Sequence, residues 1–374
     1  MVILNDLSRY DYLIVGSGIF GCVAARELTD RGRSCLVTDK RPHIGGNVYC
    51  EDIDGITVHK YGAHIFHTDS KKVWDYVNRF VRFLPYEHRV TAKSGGESYS
   101  LPFNMNTFRQ IWGAASPEEA KARIARQSGG ITEPSNLEEQ AVSLVGRDIY
   151  EKLVKGYTEK QWGKDCRELP ASIIKRLPLR FEYDDRYFTD KYQGIPQGGY
   201  NVLTDKLLEG IPNLVGMSYQ RLIKEFPSIA DKVIFTGPID EFFEYRLGRL
   251  EYRSLRFEEE RLDIPDYQGQ AVVNYCDSEI PYTRIIEHKH FTGAESPRTV
   301  ITREYPAEWQ PGQEAYYPIN DERNNELYRQ YRELAREYPN IIFAGRLGEY
   351  KYYDMDDTVA AALELTEREA GNGL

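Results

Sequence analysis

The sequence predicts an α/β protein in which a parallel sheet with crossover helices carries a helical insertion and an antiparallel β-sheet domain. Three observations predict it. A strand, a glycine turn, a helix and a second strand fill the first forty residues. A stretch rich in Ala, Glu, Gln, Leu and Lys runs over 107–175, and alternating apolar runs mark 246–318.

Asp11–Val15 reads as a short buried strand. Ile19–Arg31 reads as a helix, with Ile19, Cys22, Val23, Arg26 and Leu28 partly on one face and Gly32 as its stop. Ser34–Thr38 is the next strand. Pro134 and Gly146 divide the middle stretch into several helices. Gln270–Tyr275 and Arg298–Arg303 alternate as antiparallel strands should. Lys232–Phe235, before Thr236-Gly237-Pro238, and Ile341–Ala344, before Gly345, supply two late strands; a helix over 357–368 follows. The nucleotide-type unit therefore opens the chain and closes it. The expected division is 1–80, 201–240 and 336–374 for that unit, 105–180 for the helical part, and 81–104, 181–200 (with a connection) and 241–335 for the sheet domain.

At 374 residues two or three domains are expected. A 41% hydrophobic fraction and 28 Tyr exclude a disordered chain. The net charge of −10 argues against nucleic acid as a partner, while leaving room for a local anion pocket. The longest apolar runs, such as Tyr12–Val15 and Val233–Phe235, are strand-length, so no membrane span is expected. Met1–Tyr10 lacks a basic stretch followed by an apolar one, so no export signal is read there. Cys22, Cys35, Cys50, Cys166 and Cys276 are scattered and form no CxxC. They fit a reduced, cytoplasmic compartment without a thiolate metal site. No spacing of His and carboxylates suggests a metal.

The turn Gly16-Ser17-Gly18-Ile19-Phe20-Gly21 has the GxGxxG spacing of a Rossmann dinucleotide site. Gly16 permits the tight turn, Gly18 lets backbone approach a pyrophosphate, and Gly21 lets helix pack on strand. The helix N-terminus offers free N–H groups to the phosphates. Asp39 lies 18 residues beyond Gly21, at the end of the next strand, where an acid can accept both hydroxyls of an adenosine ribose. The second pair Gly45-Gly46, before Asn47, favours FAD over NAD. Ile342-Phe343-Ala344-Gly345 resembles a late flavin-contacting segment, and Arg346 after it would stabilise an anionic reduced ring.

Longer segments carry a more specific resemblance. They are Lys60–Thr68 (KYGAHIFHT), Leu101–Phe108 (LPFNMNTF), Gly156–Gly163 (GYTEKQWG), Ile173–Arg176 (IIKR), Tyr282–His288 (YTRIIEH) and Glu349–Met355 (EYKYYDM). In this order, over almost the whole chain, they resemble the UDP-galactopyranose mutase family of bacterial type. The chain departs from that pattern in a short extension before Asp11, in Asp39 where Glu is also used, and in His88 where relatives carry another polar residue.

The resemblance implies a flavin-dependent isomerase that interconverts UDP-galactopyranose and UDP-galactofuranose without net redox change. Reduced FAD would attack the anomeric carbon through N5, with UDP as leaving group. Arg176 and Arg284 would meet the diphosphate, with His64 beside the flavin. Tyr157, Thr158 and Trp162 would hold uridine, with 158 and 162 facing one way at i,i+4. Tyr187, Tyr317 and Tyr352 would donate hydroxyls, Asn274 would meet uridine or ribose, and His88 would also contact substrate. The implied cofactor set is Gly16, Ser17, Gly18, Phe20, Gly21, Asp39, Lys40, Gly46, Asn47, His64, Ile65, Ser218, Tyr219, Gly237, Arg346, Tyr353, Asp354, Met355, Asp356 and Thr358. His67 and Glu349 stand as neighbours of the site. A loop over 172–195 carrying Arg176 is expected to act as a lid, and the family implies a homodimer and a part in cell-surface polysaccharide synthesis.

Two other readings are weighed. An FAD-dependent amine oxidase or desaturase would show net electron transfer in an apolar cage. A non-catalytic UDP-sugar-binding flavoprotein would bind both ligands and convert neither.

Overall fold

The computed structural model describes residues 9–174 and 178–371. Its centre is a five-stranded parallel sheet in the order Asn213–Val215, Cys35–Asp39, Tyr10–Val15, Ala230–Phe235, Ile341–Phe343. Tyr10–Val15 is covered on both faces, which is why its run is apolar rather than alternating. Tyr12 and Ile14 face the helices Ile19–Asp30 and Met355–Gly371. Leu13 faces the other way, onto Leu36, Val233 and Leu222. The edge strand Asn213–Val215 is too short, at three residues, to show a period in sequence.

The helical insertion follows its capping residues. Asn104, Ser116 and Asn136 accept from backbone amides at the starts of Met105–Trp112, Pro117–Gln127 and Leu137–Val145. Gly146, at φ +81°, ends the third helix. A six-residue π-helical turn, Tyr150–Lys155, then leads into helix Gly156–Trp162. Phe108, Leu137, Ile149 and Tyr150 are buried in the core of this part.

The large sheet has seven strands in the order Tyr317–Pro318, Tyr252–Leu262, Thr299–Glu308, Arg284–Glu287, Val272–Tyr275, Val90–Ser94, Glu97–Leu101. It is antiparallel except where Val272–Tyr275 runs parallel to Val90–Ser94. The hairpin Val90–Leu101 turns on Gly95-Gly96, both at positive φ, as a two-residue hairpin loop demands.

The structure redraws two of the expected boundaries. Tyr192–Pro196 joins no strand of the large sheet. It pairs with Phe66–Thr68 and Phe83–Pro85 in a separate three-stranded sheet, and Ile195 is fully buried. The expected lid over 172–195 therefore cannot extend to Ile195, because moving that end would break a paired strand. The stretch 241–335 also ends in helix Glu322–Ala335. Its Tyr331 is fully buried beside Phe243, and its hydroxyl donates to Gly248 O at 2.6 Å. Among the described residues no helix is long and apolar enough to cross a membrane.

Candidate active site

The glycine turn is built by close approach. Gly16 has φ +101°, and an added Cβ would lie 2.1 Å from Thr236 Oγ1. A Cβ on Gly21 would lie 1.9 Å from Gly16 O, so only glycine lets helix meet strand there. Gly18 has open space around it and starts helix Ile19–Asp30 without a side-chain cap. The first-turn amides are thus left for an anion. A Cβ on Gly46, at φ +56°, would lie 2.8 Å from Gly18 Cα. The second glycine pair packs directly on the first.

Around these turns lies a cavity lined by Gly16, Gly18, Phe20, Asp39, Lys40, Gly46 and Asn47. His64 and, from later segments, Ser218, Tyr219, Gly237, Arg346, Tyr353, Met355 and Thr358 complete it. Ser17, Gly21, Ile65, Asp354 and Asp356 do not line it. Ser17 is buried and donates to Asp39 Oδ2 from its amide at 2.8 Å and its hydroxyl at 2.7 Å. Arg41 N donates to Asp39 Oδ1 at 2.9 Å. These three bonds use most of the carboxylate's roughly four acceptor positions. One acceptor position is left open on this carboxylate, where the sequence reading asked it to take two hydroxyls. Ile65 belongs to the core beside Val90 and Ile195. Asp354 accepts Thr358 N on its carbonyl and Tyr352 OH on its carboxylate, ordering the start of the last helix.

His64 is held from three sides. Its amide donates to His59 Nδ1 at 3.2 Å, its carbonyl accepts Tyr200 OH at 3.2 Å, and its Nδ1 lies 2.8 Å from Gly62 O. The Gly62 carbonyl needs a proton on Nδ1, which leaves Nε2 as the lone-pair nitrogen of a neutral ring. Burial, with the Arg346 charge nearby, pulls its pKa down to about 4. Arg346 has no carboxylate partner among the described residues. Burial also lowers its pKa, and Tyr317, Tyr352 and Tyr316 surround it. It is a half-buried cation facing the cavity without a carboxylate partner, so an anionic ligand there would gain from its charge.

A second cleft adjoins the first, and Trp309 lines both. Trp162, Tyr317 and Tyr352 line it, with the two tyrosine rings stacked 6.0 Å apart. Arg253 lines it too, and the sequence reading missed it. This guanidinium lacks a carboxylate partner among the described residues, its Nε is buried without a bond, and desolvation lowers its pKa. It is one of three arginines on strand Tyr252–Leu262, and nothing in the sequence sets it apart from the other two.

Arg284 Nη2 donates to Tyr157 OH at 3.0 Å. Its Nε lies 3.0 Å from Glu304 Oε1, an ion pair poorly aligned for a hydrogen bond. Asn274 stands opposite Arg284 in the antiparallel register, so the two share a sheet face. The Asn274 Oδ1 is buried and unbonded, an acceptor waiting for a donor. Arg284, Tyr157, Asn274 and Tyr187 line neither cavity surface.

Thr158 is buried and lines neither cavity, so the expected Thr158–Trp162 pair reaches the cleft through Trp162 alone. His88 is also buried. Its ring packs against Tyr187 and Phe188, and burial beside Arg284 and His67 lowers its pKa to about 3. His88 lines neither cavity. Arg176 lies outside the described residues.

Helix Gly156–Trp162 is fastened to the large sheet. Lys160 Nζ donates to the carbonyls of Tyr275, Asp277 and Tyr282 at 2.7, 2.9 and 3.1 Å. Arg253 donates to Gln161 O, and a Cβ on Gly156 would lie 2.2 Å from Cys276 O.

One His and carboxylate group, Asp266, Glu287 and His290, does come together among the described residues. Glu287 already accepts Tyr267 N, Gln268 N and Thr299 Oγ1, so it acts as a fold staple rather than an open ligand. The five cysteines are buried and unbridged.

A family model described as UDP-galactopyranose mutase matches residues 152–352, and one described as an NAD(P)-binding Rossmann-like domain matches 14–80. A probable UDP-galactopyranose mutase of Klebsiella pneumoniae is 43% identical over 96% of this chain and 95% of its own. A dTDP-fucopyranose mutase of Escherichia coli is 42% identical, over 95% and 97%. A UDP-galactopyranose mutase of Mycoplasma pneumoniae is 31% identical over 96% of each. A solved structure of reduced UDP-galactopyranose mutase shares the fold with a TM-score of 0.74 at 15% identity, covering 98% of this chain and 95% of that one. The chain belongs to the UDP-galactopyranose mutase family of isomerases.

Proposed function

We propose that the protein is a flavin-dependent mutase that interconverts the pyranose and furanose forms of a nucleotide-linked hexose, with UDP-galactose as the sugar. FAD fits the first cavity: the two glycine turns leave room for a pyrophosphate, and Arg346 lacks an anion there. Bound in reduced form, it supplies a nucleophilic N5 toward the anomeric carbon.

The chain's own groups have separable tasks. Trp162 offers a face to the base. Arg253 in the cleft and, on the family resemblance, Arg284 and Arg176 neutralise charge that grows on the departing diphosphate. Tyr317 and Tyr352 donate hydroxyls to that diphosphate without adding charge. Neutral His64 accepts rather than donates at Nε2. A homodimer in the cytoplasm, serving cell-surface polysaccharide synthesis, completes the proposal.

The observation that carries this reading is the placing of unpaired Arg346 and Arg253 with the Tyr317–Tyr352 stack where the two cavities adjoin. The Escherichia coli relative supports a second reading, in which a dTDP-linked 6-deoxyhexose is the substrate. Dithionite-reduced protein given UDP-galactofuranose or dTDP-fucofuranose, with products followed by anion-exchange chromatography, separates the two. Faster conversion of the UDP-sugar supports the first reading, and of the dTDP-sugar the second. Conversion of neither rejects both.

A further inference from the structure

A strap crosses the boundary between the two cavities. Trp309, Gln310 and Pro311 line the second cleft, while Gly312, Gln313, Glu314 and Ala315 line the dinucleotide cavity. The strap is a self-bonded turn. Gln313 N donates to Gln310 O at 2.9 Å, and Trp309 Nε1 donates to Gln313 O at 2.9 Å. On its own side it is tied by Ser254 Oγ, which donates to Glu314 O at 2.8 Å.

Its tie to the far wall is Arg41. Arg41 Nε donates to Glu314 Oε1 at 3.1 Å, and Nη2 pairs with Glu314 Oε2. Nη2 also donates to Asn47 Oδ1 at 2.8 Å, and the guanidinium lies 4.4 Å from the Tyr61 ring centroid. Two of the three guanidinium nitrogens are thereby fixed. The third, Nη1, is buried and has no partner. It lies 3.9 Å from where Gly46 would carry a Cβ, a point 2.8 Å from Gly18 Cα. A buried N–H of a cation costs free energy unless an acceptor meets it, and a phosphate oxygen is among the strong, charge-assisted acceptors for guanidinium.

We propose that Glu314 is a positioning residue of the dinucleotide site: it clamps Arg41 so that Nη1 is presented to a phosphate of the cofactor, and the same ion pair closes strap 309–315 over it. This rests on the reading that the cavity takes FAD. The sign of the coupling follows from charge. Without Arg41, the Glu314 carboxylate faces the phosphates unpaired and repels them. Without Glu314, Arg41 keeps its charge but loses its fixed direction and the strap loses its tie.

The test uses FAD-loaded protein and reads the rate of flavin loss, by the rise in flavin fluorescence on dilution, beside the thermal midpoint of the flavin-free protein. Glu314→Gln is expected to speed flavin loss about tenfold, and Arg41→Gln about a hundredfold. Arg41→Lys, which keeps the charge but not the fork, is expected to fall between them. The double variant R41Q/E314Q is expected to lose flavin no faster than R41Q, because the repelling carboxylate is gone. The flavin-free midpoints are expected to move far less than the flavin-loaded ones, which a merely structural ion pair would not produce. Flavin loss at the unmodified rate in both E314Q and R41K overturns the proposal. So does a double variant that loses flavin by the product of the two single effects. Failure of the unmodified protein to retain FAD at all would instead reject the functional reading beneath it.

Discussion

At the scale of residues, the site works by leaving particular groups unsatisfied. Arg346 lacks an anion, and Asn274 Oδ1 lacks a donor. Replacing Arg346 with Gln should therefore make bound flavin harder to reduce. A loss of about 1.4–3 kcal/mol of Coulomb attraction corresponds to a midpoint about 30–60 mV more negative for a two-electron couple, measurable by spectroelectrochemistry. The histidines bear on pH. Burial lowers His64 to about 4 and His88 and His288 to about 3, and drives His59 well below its ordinary 6.5. The unfolded chain takes up these protons first as pH falls through 6.5. Stability is therefore complete above that value and declines below it, toward pH 4, each histidine adding a slope of about 1.4 kcal/mol per pH unit. Urea unfolding at pH 7.5, 5.5 and 4.5 checks the sign, and His64→Asn should flatten the decline.

At the scale of elements, helix Gly156–Trp162 shows how a fastening sets a site. The Lys160 ammonium meets three carbonyls and so fixes the helix that carries Tyr157 and Trp162 against the end of strand Val272–Tyr275 and the loop that leads into the strand of Arg284. Lys160→Met leaves those carbonyls without their donor. The expected result is a loss of about 2 kcal/mol in stability and a substrate KM raised about tenfold, with the flavin spectrum unchanged. The glycine turn makes the contrasting case. Gly46→Ala places a Cβ against Gly18 backbone at positive φ, so the protein should purify largely without flavin. That turn was legible in sequence because its constraints are local: a strand, three glycines and a helix within about twenty residues. The Arg41–Glu314 pair was not, because its partners are 273 residues apart and each is one of many charges. Arg253 was missed for the same reason. His88 and Thr158 were read from flanking motifs, and their burial away from both cavities was not legible there, because motif position carries no information about which way a side chain is buried.

At the scale of the whole molecule, the chain threads the parallel sheet three times and leaves it twice, first for the three-stranded sheet, the hairpin Val90–Leu101 and the helical insertion, then for the other five strands of the large sheet. The sequence showed this weave through its late strands at Ile341 and Val233, whose apolar runs match Tyr12–Val15. The parallel partner of Val272–Tyr275 and the separate three-stranded sheet stayed hidden, because pairing direction is a long-range property with no period of its own. The result sets the dinucleotide cavity beside a cleft that gathers one wall from each part: Trp162 from the helices, Arg253 and Tyr317 from the sheet, and Tyr352 from the closing segment. Such a junction suits a bound flavin that acts on a nucleotide sugar without passing electrons on. The most direct test reduces the flavin once, excludes oxygen, supplies excess nucleotide furanose, and records flavin absorbance and product together. The account predicts many turnovers for each reduced flavin, with the absorbance staying that of the reduced form. Product limited to one equivalent of flavin, with oxidised absorbance returning in step, would contradict it.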